Sequence, residues 1–295
     1  MPLKYFKCPD GSLVEVTDCL TNCRMGSRCW TKPTLLAMSA ERVWSGVPST
    51  TQLLNGTMLE FLKLTNDYHV DPQDRAFATL GTRVHSSLEE RAKELGLPSE
   101  LALSVDRDIF DLLEPEDDGW TLTDNKTWGS YRVAKALGIT MVGKIPDPTG
   151  AVYKSSGSWG KAGSPKMVNK FAIDASKADM WETEYQLNRY RVMLEERGLI
   201  VTKLQCQIIV RDGGIAMARD RGVERNGYLI PVKRINSSEV VDYFQKKYSD
   251  LTQALKQKKW SQVCTPRECW DDARCKGYCE VALYCPKGLL FATGG

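Results

Sequence analysis

Eight of the ten cysteines fall into two quartets that share one spacing. Cys8, Cys19, Cys23 and Cys29 read C-x10-C-x3-C-x5-C, and Cys264, Cys275, Cys279 and Cys285 repeat the same intervals. Core cysteines have no reason to keep intervals, so the repetition points to duplicated sets of thiolate ligands. Thiolates select zinc or iron–sulfur clusters, and spacing separates the two poorly. Each quartet has one close pair, C-x3-C, where structural zinc more often shows two short knuckles. That spread spacing leaves a 4Fe–4S cluster and Zn²⁺ both open. Equal spacing favours one site per quartet over one site shared between Cys275, Cys279, Cys285 and an N-terminal cysteine, and Cys269 is a spare that could stand in for Cys264.

A second chemistry lies between the quartets. In Asp124-Asn125-Lys126, a strand's period of two puts Asp124 and Lys126 on one face. A carboxylate there can hold a divalent cation, and an ammonium can act on a water or on the charge of a phosphorane. The triplet alone is common, and an ordinary surface salt bridge would read the same way. Its neighbours sharpen it. The preceding segment, Asp106-Arg107-Asp108-Ile109-Phe110-Asp111, sets acids among apolar residues, which is costly unless they are paired or bind a cation. Asp108 is the expected partner of Asp124, with Asp111 and Asp106 behind it. His85 lies upstream in Gly81-x-x-x-His85. Downstream, Gln186 and Tyr190 stand one helical turn apart.

The elements that must position these groups follow from periodicity and punctuation. Residues 34–66 read as helical, with a start signal at Pro48-Ser49-Thr50-Thr51. A helix from about Arg75 to Leu95 carries Phe77, Leu80, Val84, Leu88 and Ala92 on one stripe, and Gly96 and Pro98 end it. Strands are expected over 101–113 and 119–127, with a turn at Glu114–Gly119, then a short helix from Tyr131 to Leu137. Residues 143–170 have no period and are rich in Gly, Ser, Pro and Lys. They read as a long basic loop, in which Lys154, Lys161 and Lys166 are candidate phosphate contacts. Asp174 reads as the cap of a helix reaching Arg197. A meander over 199–211, 215–219 and 227–234 follows, with Cys206 as plain core, then a helix over 238–259. The division is 1–33 for the first cysteine array, 34–260 for one α/β core, and 261–295 for the second array.

G-x-x-x-H, an acid in a strand, D-x-K and Q-x-x-x-Y, in that order, resemble the RecB-type branch of the PD-(D/E)XK nucleases. The likeness is to its iron–sulfur group, found among CRISPR adaptation nucleases, helicase–nuclease subunits and phage exonucleases. It spans about residues 80–195, and nearly the whole chain once the cysteines are included. The resemblance implies a restriction-endonuclease-like central mixed sheet flanked by helices, with cysteine-rich metal-binding segments at both ends. It implies a DNA nuclease, most naturally an exonuclease, using Mg²⁺ or Mn²⁺ held by His85, Asp108 and Asp124. Lys126 would assist the water, and Gln186 and Tyr190 would hold the site and the strand. A partner protein of recombination or CRISPR type is implied as well. The chain departs from the family in two places. Val105 stands where glycine usually precedes the motif acid, and the N-terminal side offers four cysteines in place of one.

Composition bounds the rest. Lys+Arg number 40 against 37 Asp+Glu, so any nucleic-acid footprint is local. No apolar run approaches the ~18 residues of a membrane span, and the N-terminus has no export signal. A reducing cytoplasm is therefore the expected compartment, and ligation is favoured there over disulfides. The rival reading is a non-catalytic nucleic-acid-binding protein with structural zinc sites and an incidental D-x-K.

Overall fold

A computed structural model of the chain describes residues 3–41, 43–104 and 107–292. The N-terminal segment forms β1 (Leu3–Lys7), β2 (Leu13–Glu15) and α1 (Val16–Thr21). α2 (Lys32–Ser39), α3 (Thr50–Leu54), α4 (Thr57–Thr65) and β3 (Tyr68–Val70) follow. β1 pairs antiparallel with β2 and parallel with β3. The helical stretch expected over 34–66 is thus three helices. The second of them, α3, begins where Ser49 and Gln52 form a reciprocal capping box.

α5 (Pro72–Glu94) starts at Asp71, whose side chain accepts from the Gln73 amide at 2.9 Å, with Pro72 in the first turn. Gly96, at φ +69°, lies just beyond its end. Of its expected buried stripe, Ala92 is buried, but Phe77 and Leu80 are 58% and 44% exposed. The first half of this helix therefore offers apolar surface to solvent.

β4 (Ser99–Ser104), β5 (Arg107–Glu116) and β6 (Gly119–Trp128) come next. The expected strand over 101–113 is two strands, β4 and β5, that pair antiparallel with each other. Asp106 and Val105 lie outside the described residues. α6 (Ser130–Leu137) stops at Gly138, at φ +67°, where a Cβ would stand 2.1 Å from the Asp174 carbonyl oxygen. The expected basic loop keeps its centre, residues 147–166, but its ends lie in an antiparallel pair, β7 (Ile139–Pro146) with β8 (Met167–Ile173). The pair is mostly exposed, so no buried face imprints a period of two on its sequence.

Asp174 caps only a short 3-10 turn, accepting from the Ser176 amide, and α7 (Trp181–Glu195) begins later. β9 (Val201–Val210), the single-turn α8 (Ala216–Arg219) and β10 (Gly227–Pro231) replace the expected three-strand meander. α9 (Ser237–Gln257), α10 (Ala273–Gly277) and α11 (Pro286–Ala292) complete the chain.

The central sheet has strand order β10-β9-β6-β5-β4. Only β6 and β9 run parallel, and the other neighbours are antiparallel. The protein is thus mixed α/β, a central mixed sheet flanked by helices. Leu187, Tyr190 and Leu194 of α7 pack with Leu122, Leu204 and Ile208 of the sheet. Val192 of the same helix joins a second core made by α3, α4, α9 and the terminal segments, including Phe6, Leu59, Phe244 and Val281. Both chain ends dock on the α4–β3 region. Lys63 bonds Glu280 at 3.1 Å, Tyr284 donates to the Asp67 carbonyl at 2.8 Å, and β1 pairs with β3. No helix among the described residues is long and apolar enough to cross a membrane.

Candidate metal centre

Strand register assembles the site. Ser99 pairs with Leu112 and Leu101 with Phe110, so Glu100 stands across from Asp111. Leu112 pairs with Thr123, which brings Asp111 beside Asp124, and Asp124 pairs with Cys206. Glu100, Asp111, Asp124 and Cys206 thus form a row across four strands. Residues directly opposite one another on adjacent strands share a face. β6 is covered on both sides. Its other face ties Asn125 Oδ1 to Gln207 Nε2 at 3.0 Å and Thr123 Oγ1 to Gln205 Nε2 at 2.9 Å.

α5 brings His85 to this row. Its Nδ1 lies 3.2 Å from Glu100 Oε1 and 3.6 Å from Asp111 Oδ2. These side chains can present ligand atoms all within 4.8 Å of one another, and among the described residues they are the one such trio of His, Cys, Asp or Glu. Gly81, one turn earlier, lets the helix approach: a Cβ there would sit 3.3 Å from Thr127 Oγ1. Asp111 Oδ2 also accepts from the Asn125 amide at 2.6 Å.

Asp124 is 2% exposed. Lys126 Nζ is 2.8 Å from both its carboxylate oxygens, with a hydrogen bond to Oδ1. Oδ2 is enclosed and accepts no hydrogen bond. Gln186 of α7 accepts weakly from Lys126 at 3.5 Å. Tyr190, one turn on, is 4% exposed, and burial raises its phenol to about 12. His85, Asp124, Lys126, Gln186 and Tyr190 therefore lie in one neighbourhood.

Asp108 does not join them. It sits at φ +56° and faces the start of α3. It accepts from Thr50 N at 2.5 Å, Thr50 Oγ1 at 2.6 Å and Ser104 Oγ at 2.8 Å, with an Arg189 guanidinium nitrogen 3.9 Å away. Both its oxygens are spent on holding α3 to the sheet. Asp111 occupies the place expected for Asp108, and Glu100 is an acid that sequence reasoning did not single out. Only its left-handed φ of +50° marks Glu100, and a backbone angle is not written in the sequence. Lys154, Lys161 and Lys166 are exposed on the segment joining β7 to β8. Among the described residues, no hydrogen bond or ion pair ties them to the carboxylate row.

The electrostatics are those of crowded, partly buried carboxylates. Burial, then the Asp124 charge, pushes Asp111 up to about 7. The hydrogen bond to Glu100 and the Asp111 charge raise His85. Burial works against the Lys126 ammonium, but the Asp124 and Asp111 charges outweigh it and hold its pKa above the ordinary lysine value. Crowded carboxylates and an imidazole fit a hard divalent cation such as Mg²⁺ or Mn²⁺. Burial keeps the Cys206 thiol protonated.

A pH dependence follows. An ordinary aspartate titrates near ~3.9, and Asp111 titrates at about 7 in the folded protein. Between those values the unfolded chain has lost a proton that the folded chain keeps, so stability falls as pH rises. His85 acts in the same sense, since its raised folded pKa gives a contribution lost as pH climbs through it. The metal-free protein is expected to melt at lower temperature as pH goes from about 5 to about 8, more steeply than Asp111→Asn. Added Mn²⁺ should restore more at the higher pH, because ligation needs the deprotonated groups. Melting curves of wild type and Asp111→Asn that fall in parallel would remove Asp111 from this role.

The C-terminal cysteines form a second cluster. Cys264, Cys269, Cys275, Cys279 and Cys285 line one small enclosed space together with Met58, Leu59 and Leu62 of α4. Burial, then neighbouring acids and thiols, raises Cys264 and Cys275 to about 11. Cys269 is fully in the cage wall. Lys287 Nζ is 3.2 Å and Asp272 Oδ1 3.3 Å from its Sγ.

No family model and no curated protein matches the chain. The solved crystal structure of SSO0001 superposes over 86% of this chain and 93% of its own, with a TM-score of 0.41 and 14% identity. A likeness that loose carries no argument about this protein.

Proposed function

We propose that this protein is a divalent-metal-dependent DNA nuclease. The observation that carries the reading is three carboxylates abreast on adjacent strands, Glu100, Asp111 and Asp124, with His85 against them and Lys126 paired to the last. The sheet supports it: an antiparallel β5–β6 hairpin bearing the acids and a parallel β6–β9 pair suit a restriction-endonuclease-like core.

His85, Asp111 and Asp124, with Glu100 beside them, would hold Mg²⁺ or Mn²⁺. Such an ion would supply positive charge for a phosphate and make water a better nucleophile there. Lys126 remains an ammonium, so its part is to stabilise negative charge developing on the phosphate and not to take a proton. Gln186 steers that ammonium from the α7 side. Tyr190 stays a neutral phenol that packs beneath the site.

DNA as substrate gains support from the surface leading to His85. Phe77 lies two turns before it on α5, exposed, with the Arg211 guanidinium stacked 4.0 Å over its ring. An aromatic plane joined to a cation accepts a base and a phosphate together. The C-terminal cage would hold an iron–sulfur cluster that braces the second core, since thiolates around an apolar enclosure suit one.

The test is digestion of end-labelled single- and double-stranded DNA with Mg²⁺ or Mn²⁺. Metal-dependent cleavage, stopped by a chelator, is expected. DNA that is bound but never cut with either ion would favour the non-catalytic binding protein.

A further inference from the structure

The N-terminal quartet has an architecture of its own. Cys8 and Cys23 each open a tight turn closed by a glycine three residues on. The Gly11 amide donates to the Cys8 carbonyl at 2.8 Å and the Gly26 amide to the Cys23 carbonyl at 3.1 Å. Both glycines have positive φ, +83° and +74°, a conformation other residues rarely adopt. Two matching Cys-x-x-Gly turns within this short segment are the backbone form that presents a sulfur outward from a knuckle.

The two turns face each other. Arg24, inside the second, bonds Ser12 Oγ at 2.5 Å and lies 3.5 Å from Asp10 Oδ2, both belonging to the first turn and its exit. α1 carries Cys19, buried, between them. Arg28 donates to the Leu20 and Thr21 carbonyls at 3.1 and 3.3 Å, which folds the chain back and sets Cys29 beside the end of α1. Burial, and then the thiols of Cys29, Cys8 and Cys23, raise the Cys19 thiol. The thiols that act on Cys264, Cys275 and Cys279 all belong to the C-terminal array.

The surroundings of the two arrays differ. The C-terminal cage is enclosed by α4. In the N-terminal quartet Cys29 is exposed, Cys8 and Cys23 are half-exposed, and the neighbours are Asp10, Ser12, Arg24 and Arg28. Zinc has no redox chemistry and tolerates such exposure. The segment also buries little of its own, chiefly Leu3, Phe6 and Cys19, so metal ligation would supply folding energy that its core lacks. Among the described residues no three of these sulfurs lie within 4.8 Å of one another, so a shared ion would have to draw the turns together.

We propose that Cys8, Cys19, Cys23 and Cys29 form a self-contained structural zinc site, independent of the C-terminal cage. Four thiolates bind one Zn²⁺ and release their protons, and nothing is oxidised or reduced. The site owes nothing to the nuclease reading.

The experiment is metal analysis of full-length protein purified without oxygen from zinc- and iron-supplemented cells. Wild type should carry one zinc per chain. The Cys8→Ser/Cys23→Ser variant should lose at least about nine-tenths of that zinc and keep whatever iron the wild type holds. Cys275→Ser/Cys279→Ser should keep the zinc. Because the first variant can fail to fold, Co²⁺ is also added to metal-stripped Cys275→Ser/Cys279→Ser protein. Sulfur-to-cobalt charge-transfer absorption should appear, and it should be absent when Cys8 and Cys23 are changed as well. Wild type without zinc, iron lost together with Cys8 and Cys23, or no thiolate–cobalt band would each overturn the proposal.

Discussion

Changing Asp124 to alanine is expected to remove metal-dependent DNA cleavage, a loss of roughly 10³-fold or more, with the fold intact. Asp124 contributes a buried carboxylate at the centre of the row, and it is the partner that keeps Lys126 in place. Its removal relieves the repulsion that raises Asp111 but deprives the Lys126 ammonium of its chief partner, so cleavage is read on variant protein shown to be folded by circular dichroism. Lys126→Ala should cut the rate roughly 10²- to 10³-fold while leaving DNA affinity within a few-fold, because its charge acts on the transition state.

Asp108 and Asp111 make the sharper comparison. Asp108 is locked to Thr50 and Ser104, so Asp108→Asn should lower the melting temperature and leave folded enzyme active. Asp111→Asn should do the reverse, sparing stability and abolishing cleavage. If Asp108→Asn kills activity at unchanged stability while Asp111→Asn cleaves normally, the assignment of the carboxylate row is wrong.

The second large effect concerns the C-terminal cage. Protein purified without oxygen is expected to be brown and to contain iron with acid-labile sulfide. Cys279→Ser should lose the colour and melt at a much lower temperature. The cage wall includes Val281 and Cys285, both buried in the core that α4 and α9 share with the N-terminal strands. Besides that burial, residues 264–292 are held by the Lys63–Glu280 and Lys247–Glu268 pairs, the Arg274–Asn55 bond at 3.0 Å, the Tyr284–Asp67 bond at 2.8 Å and the Arg267 guanidinium over Trp181. Ligation would add the folding energy of metal binding to these contacts. Colourless, iron-free protein that melts like the Cys279→Ser variant would end the cluster reading.

Local chemistry was legible in the chain. Gly96 ends α5, whose start the sequence puts at about Arg75 and the structure at Pro72, the Pro48–Thr51 signal opens α3, Gly119 turns β5 into β6, and two equal sets of cysteine intervals predict two gatherings of sulfur. Each of these is decided by residues within a few positions of one another, so sequence records it directly. D-x-K was legible for the same reason, since a strand's alternation places Asp124 and Lys126 together whatever lies around them.

Only the tertiary structure decided which acid faces Asp124. Asp108 and Asp111 are three apart, so strict alternation sends them to opposite faces. Which of them faces the site depends on the pairing register with β4 and β6, and a slip of one residue exchanges the two. The left-handed backbone at Asp108 and Glu100 breaks the alternation further, and α3, far away in sequence, claims Asp108 through its first amide. Glu100 was invisible because its meeting with His85 is made by a helix crossing a sheet edge. The β7–β8 hairpin was invisible because an exposed strand buries neither face and leaves no pattern. Sequence thus determined which residues could do chemistry, and long-range pairing determined which of them meet.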